Sequence, residues 1–85
     1  MMNYPKIINA EILNYPVLKL FFSDNSVKIY NFNELLKLEQ FEKLKNEKYF
    51  RTFQIEQGGY GLVWDEDTDI AEYELWKNGI DTTSN

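Results

Sequence analysis

Residues 64–76 read Trp-Asp-Glu-Asp-Thr-Asp-Ile-Ala-Glu-Tyr-Glu-Leu-Trp and carry the clearest structural signal in the chain. Trp64 ends a short apolar run, and a burst of acidic residues follows it. Asp69 and Glu72 then match a capping box, in which an acceptor side chain at the helix N-cap is followed three residues later by Glu. The stretch therefore predicts a strand ending near Trp64, an acidic loop, and a helix that begins at Asp69 and runs through Trp76.

Apolar residues alternate with polar ones through most of the preceding chain, which is typical of half-buried strands. The predicted strands are residues 6–13, 17–22, 27–32, 49–56 and 60–64. Helical spacing of leucines and Phe41 predicts a helix within residues 33–45, with Asn33 as its N-cap and charged residues such as Glu39 and Glu42 on its solvent side. The alternative for this segment is two short helices with a break near Gln40. Gly58-Gly59 favours a tight hairpin, and Asn78-Gly79 a helix C-terminus. The order β-β-β-α-β-β-α predicts a two-layer α+β fold, with an antiparallel sheet of about five strands and two helical segments.

The length and composition predict a single small soluble domain. Residues 1–80 are expected to form one α+β domain and residues 81–85 a frayed polar tail. The chain has six Phe, six Tyr and two Trp to build its core, but no Cys and no His. We see no basic segment followed by an apolar stretch at the N-terminus and no apolar run long enough to span a bilayer. We therefore expect a cytoplasmic protein that does not associate with a membrane.

The charge is unevenly distributed along the chain. Residues 1–55 carry eight Lys/Arg against six Asp/Glu, whereas residues 56–85 carry one Lys against eight Asp/Glu. The net charge of −5 argues against direct nucleic-acid binding, which requires a basic face. The acidic third of the chain has two interpretations: it is a solubilising surface, or it is a docking face for a basic protein partner.

No pattern of catalytic or metal-binding residues is convincing. Asp65, Asp67 and Asp69 have the spacing that opens a calcium-binding loop, but Ile70 stands where Gly is needed and Trp76 where a bidentate Glu is needed. A solvated loop that leads into a helix explains the acids better. Without His, no Ser or Thr has its usual activating base. We therefore predict no cofactor, no metal site and no enzymatic activity.

Trp64 and Trp76 have two interpretations each. Both fall on apolar positions and fit a core role, but Trp and Tyr also dominate protein-binding hot spots. If the acidic segment is a docking face, its candidate partner-binding residues are Asp65, Glu66, Asp67, Glu72 and Trp76. With so many aromatic residues in a small domain, an exposed sheet face or edge strand could also make a homodimer.

The order and spacing of these elements resemble a bacterial family catalogued as domain of unknown function 2442. The similarity covers roughly residues 6–79, although no single piece of it is specific. The segments that carry it are residues 17–24, Ile29-Tyr30-Asn31-Phe32, Leu35-Leu36, Phe41-x-x-Leu44, Phe50-x-x-Phe53, Leu62-Val63-Trp64 and Asp69-Ile70-Ala71-x-x-x-Leu75-Trp76. Asn31, where members often carry Asp, and Asn25-Ser26, where they often have Asp-Gly or a Gly turn, depart from the family pattern. The resemblance implies an antiparallel sheet with helices against it, and an uncharacterised function.

Three functional hypotheses follow. The resemblance implies frequent encoding beside another small protein, in a pattern suggestive of toxin–antitoxin pairs, so the first is a non-enzymatic interaction module that neutralises a basic partner. The second is an acidic inhibitor that imitates nucleic acid, as phage-encoded blockers do; acids in phosphate-like rows would favour it, whereas a local cluster favours the first. The third is a carboxylate-based or metal-assisted enzyme, which the absence of His disfavours.

Overall fold

The larger of two antiparallel sheets is built mostly from the first third of the chain. The computed structural model describes residues 4–82. In this sheet the strands lie in the order β1-β2-β3-β7. They are β1 (Ile7–Asn14), β2 (Val17–Phe22), β3 (Val27–Asn31) and β7 (Ile80–Asp81). Pairing between β1, β2 and β3 follows from short turns, at Tyr15-Pro16, whose peptide bond is cis, and around Asn25, which has a positive φ.

The smaller sheet comes from the second half of the chain. Its strands lie in the order β4-β5-β6. They are β4 (Gln54–Ile55), β5 (Gly61–Asp65) and β6 (Thr68–Ala71). The α+β class and the antiparallel pairing are thus confirmed, but within residues 4–82 seven strands in two sheets replace the expected single sheet of about five.

The segment expected to be helical within residues 33–45 breaks into two short pieces, close to the alternative break near Gln40, but the expected helix type and the expected cap are wrong. The chain forms two 3-10 segments, Leu35–Lys37 and Glu39–Lys45, because Leu38 between them has extended backbone angles. Asn33 caps neither segment. An α-helix, α1 (Glu47–Phe50), follows, and the Asn46 side chain accepts hydrogen bonds from its first turn. This helix includes the first two residues of the strand that was expected over residues 49–56. The observed strand is therefore shorter than expected and consists of β4 alone.

The predicted capping box at Asp69 is also wrong. Asp69 lies in β6, opposite Val63 of β5, and its side chain is exposed while Thr68 and Ile70 on either side are buried. Helix α2 (Glu72–Asn78) has Ala71 as its N-cap, two residues later than the expected Asp69, and Ala71 provides no side-chain cap. Pairing with β5 thus keeps residues 69–71 in an extended conformation, although the sequence pattern predicted a helix there. The expected helix end before Gly79 is confirmed.

Gly58 and Gly59 have the positive φ angles expected of them, although they lie in a short 3-10 turn (Gln57–Gly59) rather than a two-residue hairpin. A Cβ at Gly59 would lie 2.5 Å from the carbonyl oxygen of Ile7. The glycine therefore allows the β4–β5 connection to lie directly against the start of β1.

One hydrophobic core joins both sheets and the helical segments. Its buried residues are Ile7, Leu18, Leu20, Phe22, Tyr30, Phe32, Phe41, Leu44, Phe50, Leu62, Ile70 and Leu75. Phe32 and Phe50 lie at its centre with ring centroids 5.1 Å apart, edge to face. Leu36 and Ile70, which the sequence assigns to the core side, both pack there.

Trp64 and Trp76 both pack against this core. The Trp64 indole Nε1 donates to the Phe50 carbonyl oxygen at 2.8 Å, so the polar edge of the side chain is satisfied inside the fold.

The first two residues of the polar tail predicted over residues 81–85 pair with strand β3. Asp81 pairs with Lys28 of β3, and the Thr82 backbone N–H donates to the Val27 carbonyl at 2.9 Å. The rest of that tail, residues 83–85, lies outside the described residues. No helix within residues 4–82 is long and apolar enough to cross a membrane.

Candidate partner-binding surface

Asp65, the first acid of the predicted docking face, ties the β5–β6 hairpin to the helical region. Its Oδ2 accepts hydrogen bonds from the Tyr49 hydroxyl and from Lys43 Nζ, the latter at 3.2 Å. Its Oδ1 accepts the backbone N–H of Asp67 at 2.8 Å, which closes the turn. The Tyr49 hydroxyl, with help from the Asp67 N–H, holds the pKa of Asp65 well below its usual range. The Asp65 carboxylate therefore holds the hairpin against the helical region through these hydrogen bonds.

Glu66 and Asp67 form the tip of this hairpin and are exposed. Asp67 also lines an open cleft of about 530 Å³ together with Glu39 and Glu42, which belong to the second 3-10 segment. Lys43 lies in the same cleft, but its ammonium group is paired with Asp65. Three carboxylates and one lysine thus line the cleft, and the ammonium group of that lysine is already paired with Asp65.

The Glu39, Glu42 and Asp67 carboxylates form no ion pair or hydrogen bond with any residue that the structure describes. A larger cleft of about 640 Å³ shares Glu42 and Lys43 with this one and is lined by residues of both charges. We call Glu39, Glu42, Glu66 and Asp67 the acidic cluster.

Glu72 lies elsewhere and is already paired. Its Oε2 lies 2.9 Å from Lys6 Nζ, and its side chain is only 13% exposed. Lys6 also stacks over the Tyr60 ring, with Nζ 4.6 Å from the ring centroid. Glu72 therefore anchors the segment before β1 to helix α2.

Trp76 is half-buried and contacts the N-terminal segment rather than the acidic hairpin. Its ring lies 5.9 Å from that of Tyr4, and Lys28 Nζ lies 5.0 Å from its centroid. Its Nε1 is buried and makes no hydrogen bond of ordinary geometry within residues 4–82, although the indole acts electrostatically on Asp24. Burial opposes a low pKa at Asp24, but hydrogen bonds from Ser26, with a contribution from the indole, lower it.

The structure thus separates the five residues that were predicted to bind a partner. Asp65, Glu66 and Asp67 share one hairpin, with Asp65 committed to Tyr49 and Lys43, whereas Glu72 and Trp76 contact Lys6 and Tyr4. Sequence reasoning missed Glu39 and Glu42, because it placed them on the solvent side of a regular helix. Their approach to Asp67 depends on the 3-10 segment, for which the sequence carries no clear signal.

Among residues 4–82, no group of three or more acidic side chains is arranged to hold a metal ion.

Comparison with protein families finds a match to one described as a protein of unknown function, DUF2442, over residues 7–81. No curated protein and no solved structure shows significant similarity to the chain.

Proposed function

Because the chain belongs to the DUF2442 family, whose function is unknown, we propose a function from its own surface: it is a non-enzymatic interaction module that binds a basic protein partner through the acidic cluster. The partner is the second member of a two-protein pair, and the chain neutralises its activity. We also propose that the chain is cytoplasmic, because such a partner would act in the cytoplasm.

The observation that carries this proposal is the cleft between the β5–β6 hairpin and the second 3-10 segment. Three carboxylates from two distant parts of the chain face it without a partner among the described residues. No Lys or Arg among the described residues pairs with these three carboxylates, and a Lys or Arg of another protein would be attracted to them. The favourable contact is therefore available only on binding.

The distribution of charge supports the same proposal. The chain carries a net charge of −5, and most of the acids lie in its last third. Such a field increases the rate at which a basic partner meets the protein, by roughly 10- to 1,000-fold at low salt. Three consecutive acids at residues 65–67 place part of this negative charge on one hairpin.

Two alternatives are less well supported. Imitation of nucleic acid would require acids in rows at phosphate-like spacing, whereas the acidic cluster is local. A carboxylate enzyme at neutral pH needs one acid whose pKa is raised, whereas hydrogen bonds lower that of Asp65.

The proposal is tested by identifying the reading frame that adjoins the gene of this chain and expressing its product, referred to as the neighbour. We expect copurification of the two proteins and relief of any growth inhibition that the neighbour causes when it is expressed alone. A double variant, Glu42→Lys with Asp67→Lys, should slow association about tenfold or more at low salt, measured by surface binding kinetics.

The matched control is Glu34→Lys with Glu56→Lys, which changes the net charge by the same amount at exposed positions outside the cleft. This control should associate at close to the wild-type rate. Equal slowing by both variants would assign the effect to net charge, and failure of the wild-type proteins to associate would overturn the proposal.

A further inference from the structure

The junction between helix α2 and strand β7 contains an asparagine that is followed directly by a glycine. Asn78 is the last residue of α2, and Gly79 links it to Ile80, the first residue of β7. In such a pair the backbone nitrogen of the glycine can attack the side-chain amide carbon of the asparagine, because no side chain shields that nitrogen. The local structure decides which asparagine of a folded protein undergoes this reaction.

Most of the other asparagines in residues 4–82 are poorly placed for the reaction. Asn9, Asn31 and Asn46 each accept a backbone N–H hydrogen bond through Oδ1, which restrains the side-chain amide. Asn14 and Asn33 are each followed by a residue with a long side chain, which hinders attack by its nitrogen. These five positions should therefore react slowly.

Asn25 is the nearest competitor of Asn78, because the small residue Ser26 follows it. The Ser26 N–H donates to Asp24 Oδ1 at 2.9 Å, so the attacking nitrogen is held away from the Asn25 side chain. Phe22 fixes the same turn through two backbone hydrogen bonds, to the Ser26 carbonyl and from the Asn25 N–H, both at 3.0 Å. The β2–β3 hairpin therefore restrains Asn25 on both sides.

Asn78 is restrained much less. Its side chain is exposed and forms no hydrogen bond with any residue between 4 and 82. The Gly79 N–H donates to the Leu75 carbonyl oxygen at 3.0 Å, but this is the bond that closes the end of a helix of only seven residues. Helix ends fray, and such local opening costs far less free energy than global unfolding. The Gly79 nitrogen can therefore reach the Asn78 amide carbon while the core stays folded.

The packing of α2 against the larger sheet requires the glycine at this position. A Cβ at Gly79 would lie 2.6 Å from the Leu75 carbonyl oxygen and 3.0 Å from Lys28 Cβ on β3. A side chain therefore does not fit here without a shift of the backbone. The absence of a side chain that permits this close approach also leaves the Gly79 nitrogen unshielded.

We propose that Asn78 is a site of spontaneous deamidation in the folded protein. The Gly79 nitrogen loses its proton and forms a bond to Asn78 Cγ, and the side-chain amino group leaves as ammonia, which gives a cyclic succinimide. Water then opens the ring at either of its carbonyl carbons. Opening at one carbonyl gives aspartate with the normal backbone, and opening at the other gives isoaspartate, in which the main chain runs through the side-chain carbon. Water is the only co-reactant, and nothing is oxidised or reduced.

Deamidation at Asn78 should loosen the attachment of β7. Isoaspartate adds a carbon atom to the main chain between α2 and β7, whose register with β3 is Ile80 opposite Ile29 and Asp81 opposite Lys28. Both products also place a carboxylate at the C-terminal end of α2, where the helix dipole disfavours negative charge. The reaction involves no residue of the acidic cluster and does not depend on the function proposed for that cluster.

Peptide mapping by mass spectrometry tests the proposal on the folded full-length chain, sampled during incubation at mildly alkaline pH. Asn78 should convert at least about tenfold faster than Asn25, which corresponds to a barrier lower by about 1.4 kcal/mol. The rate should rise with pH, because the attacking nitrogen must lose its proton. Asn78→Gln should abolish the fast conversion, since the longer side chain closes its ring much more slowly. Asn25→Gln is the matched control and should retain the fast conversion.

A second measurement follows the effect on β7. Wild type that has been incubated until Asn78 is converted should unfold at a lower temperature than fresh Asn78→Asp, which carries the new charge on a normal backbone. Equal unfolding temperatures would overturn the predicted loosening of β7. Equal conversion rates at Asn78 and Asn25, or conversion of Asn78 only after the chain has been unfolded in urea, would overturn the deamidation site itself.

Discussion

At the scale of the residue, Asp65 is an acid that the sequence predicts to be free for binding a partner, whereas in the structure its carboxylate forms hydrogen bonds within the fold. Its carboxylate accepts hydrogen bonds from Tyr49, Lys43 and the Asp67 backbone. These bonds favour the ionised form and lower its pKa. Asp67, two positions later, has no such partner for its carboxylate among the described residues and faces the cleft.

Asp65→Asn should lower the thermal unfolding midpoint at neutral pH, because the side chain then carries no negative charge to hold the Tyr49 hydroxyl and Lys43. The contribution of Asp65 is fully present above its unfolded pKa of about 3.9 and is lost as pH falls through the lower folded value. Wild type should therefore lose part of its advantage over the variant below about pH 4. Asp67→Asn is the control, and an equal midpoint shift in both variants would contradict the assigned role of Asp65.

Tyr30 is a second residue whose role depends on tertiary contacts. It is buried in the core, and its hydroxyl donates to Glu74 Oε2 at 2.9 Å. Burial, reinforced by the Glu74 carboxylate, raises the pKa of Tyr30 above its usual range.

Tyr30→Phe should cost about 1.5–3 kcal/mol of unfolding free energy, the range for a hydrogen bond to a charged group, as measured by chemical denaturation. The stabilisation from this group is present below the ordinary tyrosine pKa of about 10 and is lost at higher pH, as the folded pKa is approached. Tyr60→Phe, at an exposed position, should leave the free energy of unfolding nearly unchanged. Identical effects of the two substitutions would show that the Glu74 contact is not stabilising.

At the scale of the element, competition between strand pairing and helix capping decides where the helices begin. Asp69 has the sequence features of an N-cap, but β6 pairs with β5 through Val63 and keeps Asp69 extended. Asn46 has no such competitor, and its Oδ1 accepts from the backbone N–H groups of Lys48 and Tyr49 at 2.9 and 3.3 Å. The residue that caps a helix is therefore Asn46.

Asn46→Ala should destabilise the protein by about 0.5–2 kcal/mol, the usual cost of removing a cap. Asp69→Ala should stay within about 0.5 kcal/mol of wild type, because Asp69 is exposed and caps nothing. Urea denaturation of the two variants in parallel measures both values. The reverse ranking would restore Asp69 as a cap and place the start of α2 earlier.

At the scale of the whole molecule, two surfaces of different chemistry lie on different elements. The acidic cluster lies on the β5–β6 hairpin and the 3-10 segment beside it, and it is charged. On the larger sheet, Glu11 lies opposite Lys19 on the neighbouring strand, and their charges cancel on the side that faces away from the core. Electrostatic attraction of a basic partner is therefore expected at the acidic cluster rather than at this sheet.

Salt should weaken association at the acidic cluster. Raising the ionic strength from 0.01 M to 0.15 M shortens the Debye length from about 30 to about 8 Å, so association with the basic partner should slow markedly. The variant that combines Glu42→Lys with Asp67→Lys should respond less to salt, because screening acts on the charges that it removes. Binding kinetics at both salt concentrations provide the measurement, and equal salt dependence of the variant and the wild type would contradict an electrostatic contact at the acidic cluster.

The sequence by itself determined the class of the fold, because local patterns carry that information. Alternation in residues 17–22 and 27–32 predicted two paired strands, and both formed as β2 and β3 with nearly the expected bounds. Gly58 and Gly59 were identified from the steric freedom that a positive φ requires. The acidic character of residues 65–67 was also evident from composition.

Only the tertiary structure decided which acids remain free and where the second half of the chain changes from strand to helix. Thr68–Ala71 became a strand because β5 provided a partner and the core accepted Thr68 and Ile70, and these long-range contacts outweigh a local capping signal. The Asp65 carboxylate accepts hydrogen bonds from Tyr49 and Lys43, which lie 16 and 22 positions earlier in the chain. Glu39, Glu42 and Asp67 line the same cleft for a similar reason: the cleft forms by packing between distant segments, which sequence spacing alone does not encode.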